Sequence, residues 1–206
     1  MVAHTLFYFT NPGDLVLDTL AGGGVVSDAC LIFGRKCLSF DIVTSDNRQE
    51  IQYHHWDPQN WKWPITKKPD LIFFDPPYFS KKEKDYEKKT DAKTPSISSY
   101  TKEEYENFLE SFFLIAHQNA KRTTRMAFLN ADWIDFESMP ALQVNPDNCI
   151  TVFDYYHLLS ETGWNIVYRI DCPLSSERFN GLQVQRMQEK RILGTVSRYL
   201  LIAKKT

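Results

Sequence analysis

The chain has no Cys-x-x-Cys pair and no Cys/His cluster, and its four cysteines, Cys30, Cys37, Cys149 and Cys172, are scattered. That spacing excludes the common zinc patterns and a disulfide framework, fits a reducing compartment, and predicts no metal. Missing too is any run near the roughly 20 apolar residues that a membrane span needs. The opening "MVAHTLFYFTNPGD" has no basic leader ahead of its apolar stretch, so a cytoplasmic protein without membrane association is expected. Charge of one sign is scarce: 24 Lys and Arg face 26 Asp and Glu, for a net charge of −2 and a pI near 6.2. The overall field therefore does not draw the chain onto nucleic-acid phosphate, and such binding has to be local or assisted. Glycine is sparse, at 8 of 206 residues, which makes the consecutive Gly22, Gly23 and Gly24 conspicuous.

Apolar material is plentiful, with 43% hydrophobic and 14% aromatic residues, enough for one core in a single domain over 1–206. Strands are expected at "LVLD" from Leu15, at "KCLSFDI", at "DLIFFD" from Asp70 to Asp75, at "RMAFLNA", at "WNIVYRIDC" and at "SRYLLIAKK". Helices are expected at "VVSDACLIF", stopped by Gly34, and roughly over Cys149 to Thr162. Thr101 with Glu104 three residues on forms a capping box ahead of "TKEEYENFLESFFLIAHQNAK", a further helix. Alternating strands and helices imply an α/β fold with a doubly wound, mostly parallel sheet and right-handed crossovers. Polar composition predicts a long mobile loop over about 79–100 and a polar loop over about 173–197.

Two constellations carry chemistry. In "DTLAGGG", Asp18 closes the first strand and Gly22 and Gly24 let backbone amides approach a ligand, at the strand edge where open α/β sheets form their crevice. Taken alone, the glycines also suit a plain tight turn. About 20 residues on, Asp41 ends the next strand, placed to accept from both ribose hydroxyls of a nucleoside cofactor. A pyrophosphate-binding G-x-G-x-x-G is incomplete, since Ser27 stands at the third glycine; a cofactor without pyrophosphate fits better, which points to S-adenosylmethionine. The second constellation is Asp75-Pro76-Pro77-Tyr78, where two prolines end the buried strand and hold the flanking Asp and Tyr in stiff, extended backbone.

These residues resemble the amino-methyltransferases of nucleic acids, marked by a Gly-rich cofactor loop and an Asp/Asn/Ser-Pro-Pro-aromatic tetrapeptide. "NPGDLVLDTLAGGG" looks like the entry to that loop in bacterial DNA methyltransferases, and "FDPPY" like their catalytic tetrapeptide, in the version typical of adenine-N6 enzymes. The resemblance is strong from Asn11 to Tyr78; the loop departs from the family pattern at Leu20-Ala21 and Gly23-Gly24-Val25. It implies a seven-stranded sheet whose last strand is antiparallel, and S-adenosylmethionine as cofactor. Asp75, Pro76, Pro77 and Tyr78 become the catalytic residues. The cofactor set becomes Thr10, Asp18, Thr19, Leu20, Ala21, Gly22, Gly24, Asp41 for the ribose, Ile42, and Asp57 for the cofactor's adenine amino group. Asp57-Pro58 fits a turn equally well.

The activity implied is methyl transfer to an exocyclic base amine, N6 of adenine in DNA first. An RNA base methyltransferase acting on guanine-N2 or adenine-N6, and a non-catalytic nucleic-acid-binding partner with the same fold, stay open beside it. The partner expected is nucleic acid, DNA ahead of RNA; no separate target-recognition domain fits in the remaining length, which leaves open one supplied by another domain or subunit. Lys81, Lys82, Lys84, Lys88, Lys89 and Lys93 suit phosphate contact or plain solvation, being interleaved with acids. Arg178, Asn180, Gln183, Gln185 and Arg186 are types that read base edges or belong to an ordinary polar loop. His54-His55 reads as a surface pair at a strand end.

Overall fold

The computed structural model describes residues 1–79, 97–134, 149–173, 181–191 and 197–206. Helix α1 (Val2–Phe9) leads into strand β1 (Leu15–Asp18), helix α2 (Val25–Phe33), and strands β2 (Lys36–Asp41), β3 (Ile51–Tyr53) and β4 (Leu71–Phe74). A 3-10 turn (Ile97–Ser99), helix α3 (Lys102–Asn119), and strands β5 (Arg125–Asn130), β6 (Trp133–Ile134) and β7 (Cys149–Ile150) follow. Helix α4 (Val152–Glu161), strand β8 (Trp164–Pro173), helix α5 (Gly181–Glu189) and strand β9 (Ser197–Lys205) complete the order.

Seven strands form one sheet in the order β3-β2-β1-β4-β5-β9-β8. Strands β1 to β5 pair in parallel, whereas β9 lies antiparallel between β5 and β8. The expected α/β fold with an antiparallel last strand is thus observed. Strand order reverses between β1 and β4, and the crevice past their carboxyl ends is the place where such sheets receive ligands.

All four residues of β4 are buried, because helices cover both sheet faces there and an all-apolar strand is what a doubly covered parallel sheet needs. One face is aromatic: Phe74 stacks on Phe112 of α3 with ring centroids 3.7 Å apart and meets Phe128 of β5 at 5.5 Å. The other joins Leu6 of α1, Val26 and Cys30 of α2, and Val16, Phe73 and Ile202 of the sheet. The expected capping box of α3 forms, with Glu104 N–H donating to Thr101 Oγ1 at 3.2 Å and Thr101 N–H to Glu104 Oε2 at 2.8 Å.

Several local expectations change. Two elements are not expected from the sequence: α1, which ends at Phe9 with Thr10 as an extended cap, and β3, a strand of only three residues with two exposed side chains, too short for an alternation to show. The helix expected from Cys149 begins at Val152, since Cys149–Ile150 pairs with Trp133–Ile134 as a two-stranded ribbon. The loop expected over 79–100 falls mostly on 80–96, outside the described residues together with its lysines; at its ends Phe79 is buried and Ile97–Ser99 forms a turn. The polar loop expected over 173–197 is corrected within the described residues by α5, which carries Gln185 and Arg186 on exposed positions while Arg178 and Asn180 lie outside them. Consecutive long-chain residues there favour a helix over an irregular loop. Among the described residues no helix is long and apolar enough to cross a membrane, and no His/Cys/Asp/Glu group is arranged to hold a metal ion.

Candidate active site

Beyond the carboxyl ends of β1, β2 and β4 opens a cavity of about 880 Å³, toward the upper end of the range for sites that bury a small ligand. The loop after β1 is fixed from three sides. Thr19 donates its N–H at 3.2 Å and its hydroxyl at 3.0 Å to the Phe73 carbonyl on β4, and its own carbonyl accepts the Trp56 indole N–H at 2.9 Å. Ala21 N–H reaches the Phe40 carbonyl at 2.9 Å. The Gly-rich turn is therefore tied to β2 and to β4 two residues before Asp75.

Asp41, at the end of β2, accepts Gly22 N–H at 2.8 Å on Oδ2 and Val43 N–H at 2.9 Å on Oδ1. Each carboxylate oxygen can accept two hydrogen bonds, so acceptor capacity remains on both oxygens where they border the cavity. Asp18 is 2% exposed, and among the described residues its Oδ2 has no partner. Burial, with the charges of Cys37, Asp41 and Asp75 behind it, holds the Asp18 carboxyl well above the ordinary carboxylate range. Such a group is ready for a cationic partner.

Gly24 caps α2 with φ +80°, a left-handed conformation that L side chains rarely adopt. A Cβ there would strike the Arg48 guanidinium, which packs against the turn. Arg48 donates to the Gly24 carbonyl at 2.7 Å, to Asp28 at 3.0 Å, and pairs with Glu50 at 2.7 Å. Gly24→Ala is expected to cost about 1–2 kcal/mol through backbone strain and displacement of this strap, read as a lowered midpoint in urea with an unchanged slope.

Asp75, Pro76, Pro77 and Tyr78 also line the cavity. Burial pushes the Asp75 carboxyl up to about 6, against the downward pull of a hydrogen bond from Tyr78 and the charge of Arg198. The Tyr78 hydroxyl is raised by its burial and by the Asp75 charge beside it, against the pull of Arg198. Behind the prolines lies a buried network: Tyr105 of α3 donates to the Pro77 carbonyl at 3.2 Å, and Asn130 of β5 donates to the Tyr105 oxygen at 3.0 Å. The Tyr155 hydroxyl of α4 completes it, 3.2 Å from Asn130 Oδ1 and 3.0 Å from the Ala131 carbonyl. Two prolines leave that strand end no N–H groups to anchor it, so the carbonyl bond does the holding.

Of the residues expected from sequence, Asp18, Leu20, Ala21, Gly22, Asp41, Ile42 and all four of Asp75 to Tyr78 border the one cavity. Thr19 and Gly24 lie beneath it as backbone anchors. Thr10 and Asp57 are not brought to its wall. Thr10 ends α1, buried under Arg35, which donates to its hydroxyl at 2.9 Å and to its carbonyl at 2.7 Å. Asp57 Oδ1 accepts Gln59 N–H at 2.9 Å, an Asx turn. The wall instead contains His54, His55, Trp56, Tyr100 and Arg198, none of which stood out as cavity residues in the sequence. His54 is half-buried rather than a plain surface side chain: its ring lies 4.5 Å from that of Trp56, and burial lowers its pKa.

No protein-family model matches the chain, and no curated protein matches it in sequence. Solved structures do resemble its backbone. A TehB-like SAM-dependent methyltransferase from Corynebacterium glutamicum superposes over 100% of this chain and 87% of its own, with TM-score 0.52 and 11% identity. The 1,6-didemethyltoxoflavin-N1-methyltransferase of Burkholderia thailandensis, with bound 1,6-didemethyltoxoflavin and S-adenosylhomocysteine, covers 100% and 76% with TM-score 0.58 and 13% identity. Geranyl diphosphate C-methyltransferase from Streptomyces coelicolor, in complex with geranyl diphosphate and S-adenosyl-L-homocysteine, gives 100% and 78%, TM-score 0.58 and 12% identity. Those three names speak of 1,6-didemethyltoxoflavin and geranyl diphosphate, not of nucleic acid. With its strand order β3-β2-β1-β4-β5-β9-β8 and its crevice beyond β1 and β4, the chain has the fold of the S-adenosylmethionine-dependent methyltransferases.

Proposed function

We propose that the chain transfers a methyl group from S-adenosylmethionine to an exocyclic amine of a nucleic-acid base, with N6 of adenine in DNA as its first candidate substrate. The observation that carries this reading is a buried Asp75, backed by the Tyr105–Pro77 bond, lining the same cavity as the Gly-rich turn and Asp41. The donor set fits the cofactor. Asp41 offers free acceptor capacity toward ribose hydroxyls, Asp18 Oδ2 is a buried acceptor without a partner and suits the methionine ammonium, and Leu20 to Gly22 present backbone to the ligand.

When bound, S-adenosylmethionine supplies an activated methyl group on a sulfonium sulfur. The substrate nitrogen is a poor nucleophile because its lone pair is delocalised into the ring. Asp75 and the Pro76 carbonyl accept its two hydrogens and draw it toward tetrahedral geometry, freeing the lone pair for in-line attack; positioning and electrostatics supply the rate. Asp75, when ionised, also serves to take the proton that the methylated nitrogen sheds. A base inside a duplex cannot reach this wall, so the substrate is a flipped or single-stranded base, and the Tyr78 ring replaces part of its lost stacking, roughly 1–3 kcal/mol.

Calorimetric titration of S-adenosylmethionine into wild type and Asp41→Ala tests the cofactor half. Micromolar binding by wild type and a loss of roughly tenfold or more in Asp41→Ala are expected, from two charge-assisted hydrogen bonds. Radiolabelled methyl transfer to unmethylated DNA, compared with RNA of the same sequence, tests the substrate half. No binding at millimolar cofactor would overturn the enzyme reading and leave a non-catalytic nucleic-acid-binding partner; transfer to RNA alone would move the substrate from DNA to RNA.

A further inference from the structure

Strand β8 ends the sheet. It pairs with β9 along one edge, and among the described residues no strand pairs with the other. Unlike the three-residue β3 at the far end, it is ten residues long, and its middle is open to solvent: Val167 is 37%, Tyr168 57% and Ile170 38% exposed. Long, apolar, unpaired edges invite another strand, and proteins commonly blunt them with bulges, prolines and charges. All three devices are present here. The register on β9 slips between Ile166 and Tyr168, the strand ends at Pro173, and Arg169 and Asp171 stand between. The bulge and the proline leave one regular stretch, Tyr168–Cys172, centred on Ile170.

The charges do not repel a second copy of that stretch. Arg169 and Asp171 share a sheet face with Tyr199: the guanidinium lies 4.8 Å over the Tyr199 ring and its Nε donates to Asp171 Oδ1 at 3.1 Å. Tyr168 points to the other face, its ring 5.4 Å from that of Phe9. Two copies paired antiparallel about a twofold axis place residues of one face opposite each other, so the axis falls on a residue. At Arg169 or at Asp171 it sets like charge against like. At Tyr168 it leaves Arg169 opposite Val167 and Asp171 opposite Asn165. Only at Ile170 does Arg169 face Asp171 of the second copy, twice by symmetry, with Ile170 on Ile170 and Tyr168 opposite Cys172. We propose that the Tyr168–Cys172 edge of β8 is a self-association surface, on which a second copy of this chain adds its own β8 antiparallel about a twofold axis at Ile170. The seam lies three strands from β4, about 14 Å away, and joins the two sheets into one.

Sedimentation velocity on the full chain tests this. Five residues per copy make a small contact of the weak, reversible class, so the mass should climb from 24.1 kDa toward twice that value between about 5 and 200 µM, and less so in molar salt. Arg169→Glu and Asp171→Arg each set like charges together at both contacts and should weaken association at least about tenfold. An equimolar mixture of these two variants restores opposite charges at both contacts and should form a one-to-one dimer that neither forms alone. If one of them does not fold, Ile170→Lys, which opposes two ammonium groups at the axis, replaces it as the variant expected to stay monomeric. A wild type monomeric throughout, or a dimer indifferent to the substitutions, overturns the proposal. So does a mixture of the two reversals that stays monomeric, since the register would then be wrong.

Discussion

Asp75→Asn is expected to lower the methyl-transfer rate by about 10² to 10³-fold, the size of effect seen when one preorganised electrostatic contact to a reacting group is removed, while leaving cofactor affinity within about threefold. The asymmetry follows from placement. Asp75 lies at the end of β4, whereas the residues that fit the cofactor come from β1, β2 and the turn between β1 and α2. Asparagine keeps the volume but turns one acceptor oxygen into an NH₂ group facing the substrate amine. The wild-type rate should fall below a pH of about 6, where the Asp75 carboxyl takes up its proton, by roughly tenfold for each further pH unit. Stopped-flow transfer rates across pH 5–8 check both points, and a variant that retains a tenth of the wild-type rate would remove Asp75 from the chemistry.

Asp18→Asn carries two expected effects of opposite sign. The Asp18 carboxyl is held well above the ordinary range in the folded protein by burial and acidic neighbours. Between its unfolded and folded pKa values the folded state binds more protons, so stability declines as pH rises through that window. Asparagine removes the penalty: the ligand-free variant should melt about 2–4 °C higher at neutral pH, with the difference shrinking toward pH 4. Cofactor affinity should fall by roughly 10- to 100-fold, because the ammonium loses a charged, buried acceptor. In wild type that contact requires ionised Asp18, so binding should release protons, measurable by calorimetry in buffers of different ionisation enthalpy. Equal melting curves at neutral pH together with unchanged affinity would place Asp18 outside ligand binding.

Much of the fold was legible because its signals are local. The runs "LVLD" and "LIFF" became buried strands, and Thr101 with Glu104 formed the box that starts α3. Asp18, the Gly turn, Asp41 and the Asp75 tetrapeptide were readable because each follows an apolar strand, and the parallel register of β1 with β2 and β4 brings those strand ends together. Arg198 was not readable. Its place depends on the antiparallel register of β9 on β5, set by pairings between residues about 70 positions apart. His54 was misread because its burial comes from Phe40 and Trp56, which belong to different segments. Asp57 shows the converse: its Oδ1 accepts Gln59 N–H in a turn, and Asp57 is not among the residues lining the cavity.

The position of β9 also bears on how the chain matures. On the ribosome β1 to β5 can pair as they emerge, in the order in which they are made, but β5 and β8 meet only through a strand synthesised after both. Until Ser197–Lys205 leaves the exit tunnel, β5 and β8 each keep an unpaired edge. Assembly of the sheet is thereby completed only by the last-made of its seven strands. A translation arrest placed just before Ser197 should yield a nascent chain that chaperones hold and proteases cut.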